Sequence, residues 1–199
     1  MKAERSSDAE NSTSRTALLD AAEQIMLEEG YAAVSSRRLG TRAGVNPALV
    51  YYYFSNMDNL FIELFQRGAD RSYERQLRAL DAAQPLWALW DAIHDQSHTA
   101  LTMEFVALAN HRKAIRAEIA ASSRRFRALQ LDAVAKILAG YDSSAVGYTP
   151  GALVLLMSSV SRFLRMEETF DVDTGHAEVI ELIEAFLREV EGERRDRVR

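Results

Sequence analysis

The sequence predicts an all-α fold, on three observations. Only three prolines and nine glycines interrupt 199 residues. Apolar residues recur at spacings of three, four and seven in segment after segment, the repeat of a helix that buries one face. No alternation of polar and apolar residues lasts long enough to build a sheet.

Composition narrows what such a chain can do. With 48% apolar residues it can fill a sizeable core. It has no cysteine, which excludes disulfides, thiolate metal sites and cysteine nucleophiles and fits a cytoplasmic protein. The opening MKAERSSDAENSTS lacks the apolar core of a secretory signal. The most apolar run, ALVLLMSS at 152–159, is far short of the roughly 20 residues that cross a bilayer, so no membrane partner is expected. A net charge of −5 and a pI near 5.5 argue against binding polyanions over the whole surface. Any nucleic-acid contact has to be local.

The elements follow in order. A flexible polar tail, residues 1–12, precedes a first helix with Leu18, Ala22, Ile25 and Met26 inward and Gly30 as its stop. Ser35 caps a short second helix with Leu39 and Ala43 inward, and Gly44 supplies a positive-φ exit. Val45 plugs the turn, Asn46 is the N-cap of a third helix, and Pro47 takes its first position, where a missing N–H costs nothing. That helix is over by Phe54. Asn56 caps a long fourth helix, with Asp58 favoured in its first turn by the helix dipole and Leu60, Phe61 and Leu64 inward. Gln84-Pro85 then breaks the chain. The division is 13–56 for a three-helix domain, 57–84 for a connecting helix, 85–192 for a second helical domain and 193–199 for a charged tail. The second domain holds a short helix from Pro85, one through TALTMEFVALAN, a long one from His111 to Ala139, a very apolar one opened by Thr149 and Pro150, and a last helix over Ala177 to Val190.

The second and third helices, joined by the tight turn AGVN, make a helix-turn-helix, a unit that offers its later helix to the DNA major groove. On the third helix Val50 and Phe54 share the buried side. A rotation of about 100° per residue puts Ala48 and Tyr52 nearly opposite, Leu49 and Tyr51 on the flanks, and Tyr53 nearer the core edge. An exposed phenol hydrogen-bonds a phosphate without bringing a charge, and Ala48 and Leu49 suit thymine methyls. From Tyr31 to Met57 the sequence has Arg37, Arg38 and Arg42 and no acid, a local positive field in an acidic protein. The competing reading makes the three tyrosines a core patch, but a two-turn helix cannot bury every face.

Residues 14–65, SRTALLDAAEQIMLEEG followed by YAAVSSRRLGTRAGVNPALVYYYFSNMDNLFIELF, resemble the N-terminal domain of the tetracycline-repressor (TetR) family of bacterial transcriptional regulators. The first-helix pattern, the glycine-tyrosine pair, the SSRRLGTRAGV second helix and the YYYF ending stand in the family's order and spacing. The resemblance implies a two-domain helical homodimer whose C-terminal domain binds a small effector and thereby alters the separation of two DNA-reading heads. It implies that Ser35, Ser36 and Arg37 approach DNA, with Arg37 bidentate to guanine O6 and N7. It implies Pro47, Ala48 and Leu49 at base edges and Tyr51, Tyr52 and Tyr53 along the phosphates. One departure is Met57, where the family often has a phosphate-binding lysine; the helix-start N–H groups remain available there. Pro47, Ala48 and Leu49 offer no side-chain hydrogen bonds, so operator choice would rest on apolar contacts and DNA shape.

In the C-terminal half, Leu153, Val154, Leu155, Leu156, Met157, Val160, Phe163 and Leu164 make one helix apolar nearly all round. The last helix has an apolar face at Val179, Leu182, Ile183, Phe186 and Val190 and a second patch at Ile180 and Leu187. Together the apolar helix and that second patch predict a four-helix interface across a two-fold axis, and the resemblance puts the dimer in the same helices. The alternative is the central core helix of a monomer. The candidate effector-binding set is Trp87, Trp90, His94, Met103, Glu104, Phe126 and Met157, side chains that suit an apolar or aromatic ligand and an ordinary core equally. Glu104, set in LTMEFVAL, would orient a ligand or pair with an arginine.

HDQSH puts His94 and His98 four residues apart, a spacing that lets two imidazoles share a metal, although Asp95 replaces the glutamate of the zinc-protease pattern and no third ligand is assignable. HRK at 111–113 and RRFR at 124–127 read as a solvated helix face or as contacts to an anionic effector such as an acyl-coenzyme A thioester. The leading expectation is a cytoplasmic, ligand-responsive, homodimeric regulator. It represses by binding a palindromic double-stranded operator until a small molecule releases it, and it is neither an enzyme nor cofactor-dependent. The alternative is a histidine-metal hydrolase using His94 and His98, and a third reading is a regulator that acts through a protein partner, its DNA function lost.

Overall fold

Helix boundaries follow the caps. Ser35 Oγ accepts from the Arg38 N–H, Asn46 Oδ1 from the Ala48 N–H at 2.9 Å, Asn56 Oδ1 from the Asn59 N–H at 2.9 Å and Thr149 Oγ1 from the Ala152 N–H at 3.2 Å. Each satisfies a donor that the first helical turn leaves open. Pro47 has helical dihedrals behind Asn46, and Gly44 leaves the second helix at φ 67°. The computed structural model describes residues 2–94, 99–141 and 148–195. Among the described residues are the helices α1 (Lys2–Glu29), α2 (Ser36–Ala43), α3 (Ala48–Phe54), α4 (Met57–Leu80), α5 (Pro85–His94), α6 (Thr99–Ala109), α7 (Lys113–Leu138), α8 (Pro150–Glu168) and α9 (His176–Glu191), with a 3₁₀ turn at Tyr31–Ala33 and no strand.

One expected tail is helix instead. α1 begins at Lys2, so residues 2–12 continue the first helix. No proline or glycine stands before Gly30 to stop it, and a polar composition alone does not break a helix.

The helices pack into two compact units, residues 1–69 with 100–121 and residues 70–99 with 122–199. This grouping differs from a division at Gln84-Pro85: α4 and α7 each contribute to both units, and α6 joins the N-terminal helices. The proline breaks a helix, but grouping is decided by which apolar faces meet. In the first unit Leu18, Ala22, Ile25 and Met26 of α1, Leu39 of α2, Val50 and Phe54 of α3, and Leu60, Phe61 and Leu64 of α4 share one buried cluster with Leu101, Phe105 and Leu108 of α6 and Ile115 of α7.

The second unit has its own core of Leu86, Trp87, Leu89 and Trp90 from α5, Val134 and Leu138 from α7, Leu153, Val154 and Met157 from α8, and Ile183, Leu187 and Val190 from α9. Its chain end is tied down. Glu191 accepts from the Leu86 and Trp87 N–H groups at 2.9 and 3.0 Å, capping α5 from another helix, and Gln84 bonds the backbone at Glu191, Glu193 and Arg195. Residues 193–195 of the expected charged tail are therefore docked, with Arg194 paired to Asp91 and lying over the Trp87 ring. On α9 the faces also differ from expectation. Leu187 is in the core with Ile183 and Val190, whereas Leu182 faces out.

Candidate nucleic-acid interface

The turn between α2 and α3 is tight because Gly40 permits it. A Cβ at Gly40 would stand 2.7 Å from Pro47 Cγ and 2.8 Å from the Val45 carbonyl oxygen, closer than van der Waals contact allows. The helical spacing of α2 does not mark this glycine, because the close approach comes from the turn that follows it. With that approach fixed, Val50 and Phe54 anchor α3 in the core and its opposite face is presented outward. Tyr52 is 70% exposed and Tyr51 54%, and Pro47 and Ala48 are exposed as well. Leu49 and Tyr53 are half-buried against the core edge, and the Tyr52 and Tyr53 rings meet edge-on at 5.0 Å. On α2, Ser35 and Arg37 are exposed and Ser36 is half-buried.

The charge around this face is less one-sided than the sequence suggests. Arg38 is ion-paired with Glu29, and Arg42 with Glu28 at 2.6 Å, so the last two acids of α1 neutralise two of the three arginines in the acid-free stretch. Arg37 has no carboxylate partner among the described residues. Ile25, Glu29, Arg37, Arg38, Thr41 and Arg42 line an open hollow of about 520 Å³. The Met57 side chain packs against the core, and Asp58 beside it is paired with Arg112.

The candidate effector residues divide between the units: Met103 and Glu104 lie in the first, and Trp87, Trp90, His94, Phe126 and Met157 in the second. Among the described residues Glu104 is paired with no arginine. It accepts the Tyr31 backbone N–H at 2.7 Å. Trp87 donates its indole N–H to the Gly192 carbonyl at 3.2 Å, and Trp90 and Met157 are buried in the second core. Phe126 meets Tyr73 edge-on at 5.4 Å. His94 stacks on Trp90 at 4.9 Å, and its Nε2 lies 2.8 Å from Arg165 Nη2. A guanidinium only donates, so that nitrogen is the acceptor and its lone pair is spent. His98, the other half of the histidine pair, lies outside the described residues. Among the described residues no three His, Asp or Glu side chains cluster as metal ligands, and no helix is long and apolar enough to cross a membrane. The basic clusters are partly paired, Arg112 with Asp58 and Arg125 with Asp70 at 2.9 Å.

Comparison with known proteins gives a consistent result. Residues 18–64 match the family model of bacterial regulatory proteins of the tetR family. No curated protein matches the chain. Among solved structures, a candidate transcriptional regulator from Streptomyces coelicolor A3(2) is 26% identical with a TM-score of 0.65, covering 87% of this chain and 98% of that one. A candidate TetR-family regulator from Rhodococcus sp. is 19% identical with a TM-score of 0.66, covering 88% and 99%. A candidate transcriptional regulator from Saccharomonospora viridis, solved in complex with choline, is 15% identical with a TM-score of 0.72, covering 87% and 96%. The match to the tetR family model falls on the N-terminal helix-turn-helix, and the chain as a whole shares the all-helical fold of these solved structures.

Proposed function

We propose that the protein is a homodimeric repressor that binds a palindromic operator through Ser35, Ser36, Arg37, Pro47, Ala48, Leu49, Tyr51, Tyr52 and Tyr53 and leaves it when a small molecule binds. The observation that carries the reading is the outward face of α3, where Pro47, Ala48, Tyr51 and Tyr52 stand exposed on a helix anchored from behind by Val50 and Phe54. Arg37, without an acid partner among the described residues, reads guanine, while the phenols hold phosphates. The dimer forms through α8 and α9. Leu155 and Phe163 are each 54% exposed and Leu182 68%, an apolar surface that a lone subunit leaves in water.

The effector is apolar or aromatic and is held near Trp90, Phe126 and Met157. The choline found with the Saccharomonospora viridis protein supports small-molecule binding by this fold. The protein works in the cytoplasm and is not an enzyme; the spent lone pair of His94 speaks against the metal-hydrolase alternative. Selection of bound duplexes from a random pool tests the proposal. A two-fold palindrome is expected; recovery of unselected sequence at every salt concentration would refute it.

A further inference from the structure

Glu28 and Glu29 sit at the worst place on α1 for a carboxylate. They close the last turn of a helix whose C-terminal dipole repels anions, and that turn carries no basic residue. Nothing in α1 itself favours them there. Their partners lie on the DNA side of the molecule: Glu29 holds Arg38 and Glu28 holds Arg42, both across to α2 and both exposed. Arg37, one residue from Arg38, shares the same hollow but has no such tether among the described residues. Each carboxylate binds a guanidinium and also adds a negative charge within a Debye length of about 8 Å of any phosphate approaching that hollow.

We propose that Glu28 and Glu29 are specificity determinants that keep Arg38 and Arg42 off the DNA backbone. Phosphate contacts are sequence-blind and set non-specific affinity and its salt dependence, whereas base contacts discriminate. Tethering two of three arginines removes sequence-blind charge contacts from each head and leaves the one arginine placed to read a base. The pairs are exposed and individually weak, so the device works by lowering non-specific affinity and not by rigidly locking the side chains. This inference rests on the DNA-binding reading above.

The test measures binding to a duplex of arbitrary sequence and to the selected operator, by fluorescence anisotropy across a salt series. In Glu28→Gln/Glu29→Gln, affinity for the arbitrary duplex is expected to rise about tenfold or more at low salt, the log K against log salt slope to steepen by about one per arginine that reaches a phosphate, and the ratio of operator to arbitrary binding to fall. Arg38→Gln/Arg42→Gln in the otherwise native chain is expected to leave the arbitrary-duplex slope unchanged. A lost slope in that second variant, or an unchanged slope and ratio in the first, overturns the proposal. The second variant also keeps the question decidable should the first not fold. A native protein that binds neither duplex at any salt concentration overturns the regulator reading itself, whereas a native protein that prefers its operator while the variants miss these outcomes overturns only the role of the two acids.

Discussion

Glu104 on α6 accepts a hydrogen bond from the backbone N–H of Tyr31 at 2.7 Å. That N–H opens the 3₁₀ turn between α1 and α2, and the residue before it, Gly30 at φ 83°, has no side chain with which to cap it. A carboxylate more than seventy residues away in sequence does so instead, so α6 fixes the path by which the chain enters α2 and α3. Glu104→Ala leaves the amide without an acceptor, which costs about 1–2 kcal/mol where water reaches it poorly. Faster hydrogen exchange at Tyr31 and a lower melting temperature are expected, and Glu104→Gln, which keeps a carbonyl acceptor, should recover most of both. Unchanged exchange at Tyr31 in the alanine variant would show that the bond is not made.

Gly40 gives a second expectation. Its missing Cβ is what lets Pro47 and the Val45 carbonyl stand where they do, and one of those two atoms is backbone, which cannot rotate away. Gly40→Ala should destabilise the first unit by about 1–3 kcal/mol, although alanine is the better helix former. A urea midpoint equal to or above that of the native chain would contradict this.

What the sequence made legible was local. Ser35, Gly44, Asn46, Pro47, Asn56 and Thr149 act within three or four residues of themselves, so their caps and turns could be read directly, and the outward turn of Tyr52 followed from the buried pair Val50 and Phe54. The contacts that were missed cross long stretches of chain. Glu104 to Tyr31, Glu28 and Glu29 to the α2 arginines, and Glu191 to the start of α5 each depend on how helices pack, and no periodicity records a partner. The arginine field shows the consequence: a stretch free of acids in sequence meets two acids in space.

Arg37→Ala should remove operator discrimination. A bidentate arginine-guanine contact is worth about 1–3 kcal/mol, so operator affinity should fall roughly 10- to 100-fold per half-site at about 0.15 M salt, with the dimer intact. Tyr52→Ala, by contrast, should weaken binding to all sequences by a similar factor, because a phenol on a phosphate carries no sequence information. A loss confined to one operator would place Tyr52 on a base.

Alkaline pH probes the clamp at the end of the chain. Tyr141 donates its hydroxyl to Glu191 at 2.9 Å; burial, that hydrogen bond and the negative charge of Glu191 together push the phenol up to about 12. A folded value above the unfolded one means that the stabilising contribution is whole below about pH 10 and is lost as pH climbs toward 12. Ultraviolet titration should show a late component that disappears in Tyr141→Phe, and that variant should lose less stability between pH 10 and 12 than the native chain. Glu191→Gln should bring the late titration down, since it removes the charge.

The apolar surface of α8 and α9 supplies the last expectation. Leu155, Leu156 and Phe163 on α8 and Leu182 on α9 are exposed in the single subunit, while their neighbours Leu153, Val154, Met157 and Leu164 fill its core. Burying a leucine or phenylalanine side chain is worth about 1.5–3 kcal/mol, so several such side chains per subunit suffice to hold a dimer. Leu155→Glu/Phe163→Glu substitutes charge only at positions outside the subunit core, so helix content and melting of the subunit should change little. Sedimentation should nevertheless report a monomer. Operator affinity should fall at least a hundredfold, because a single head reads one half-site alone. A variant that sediments as a dimer and still binds its operator would mean that the two subunits meet through some other surface.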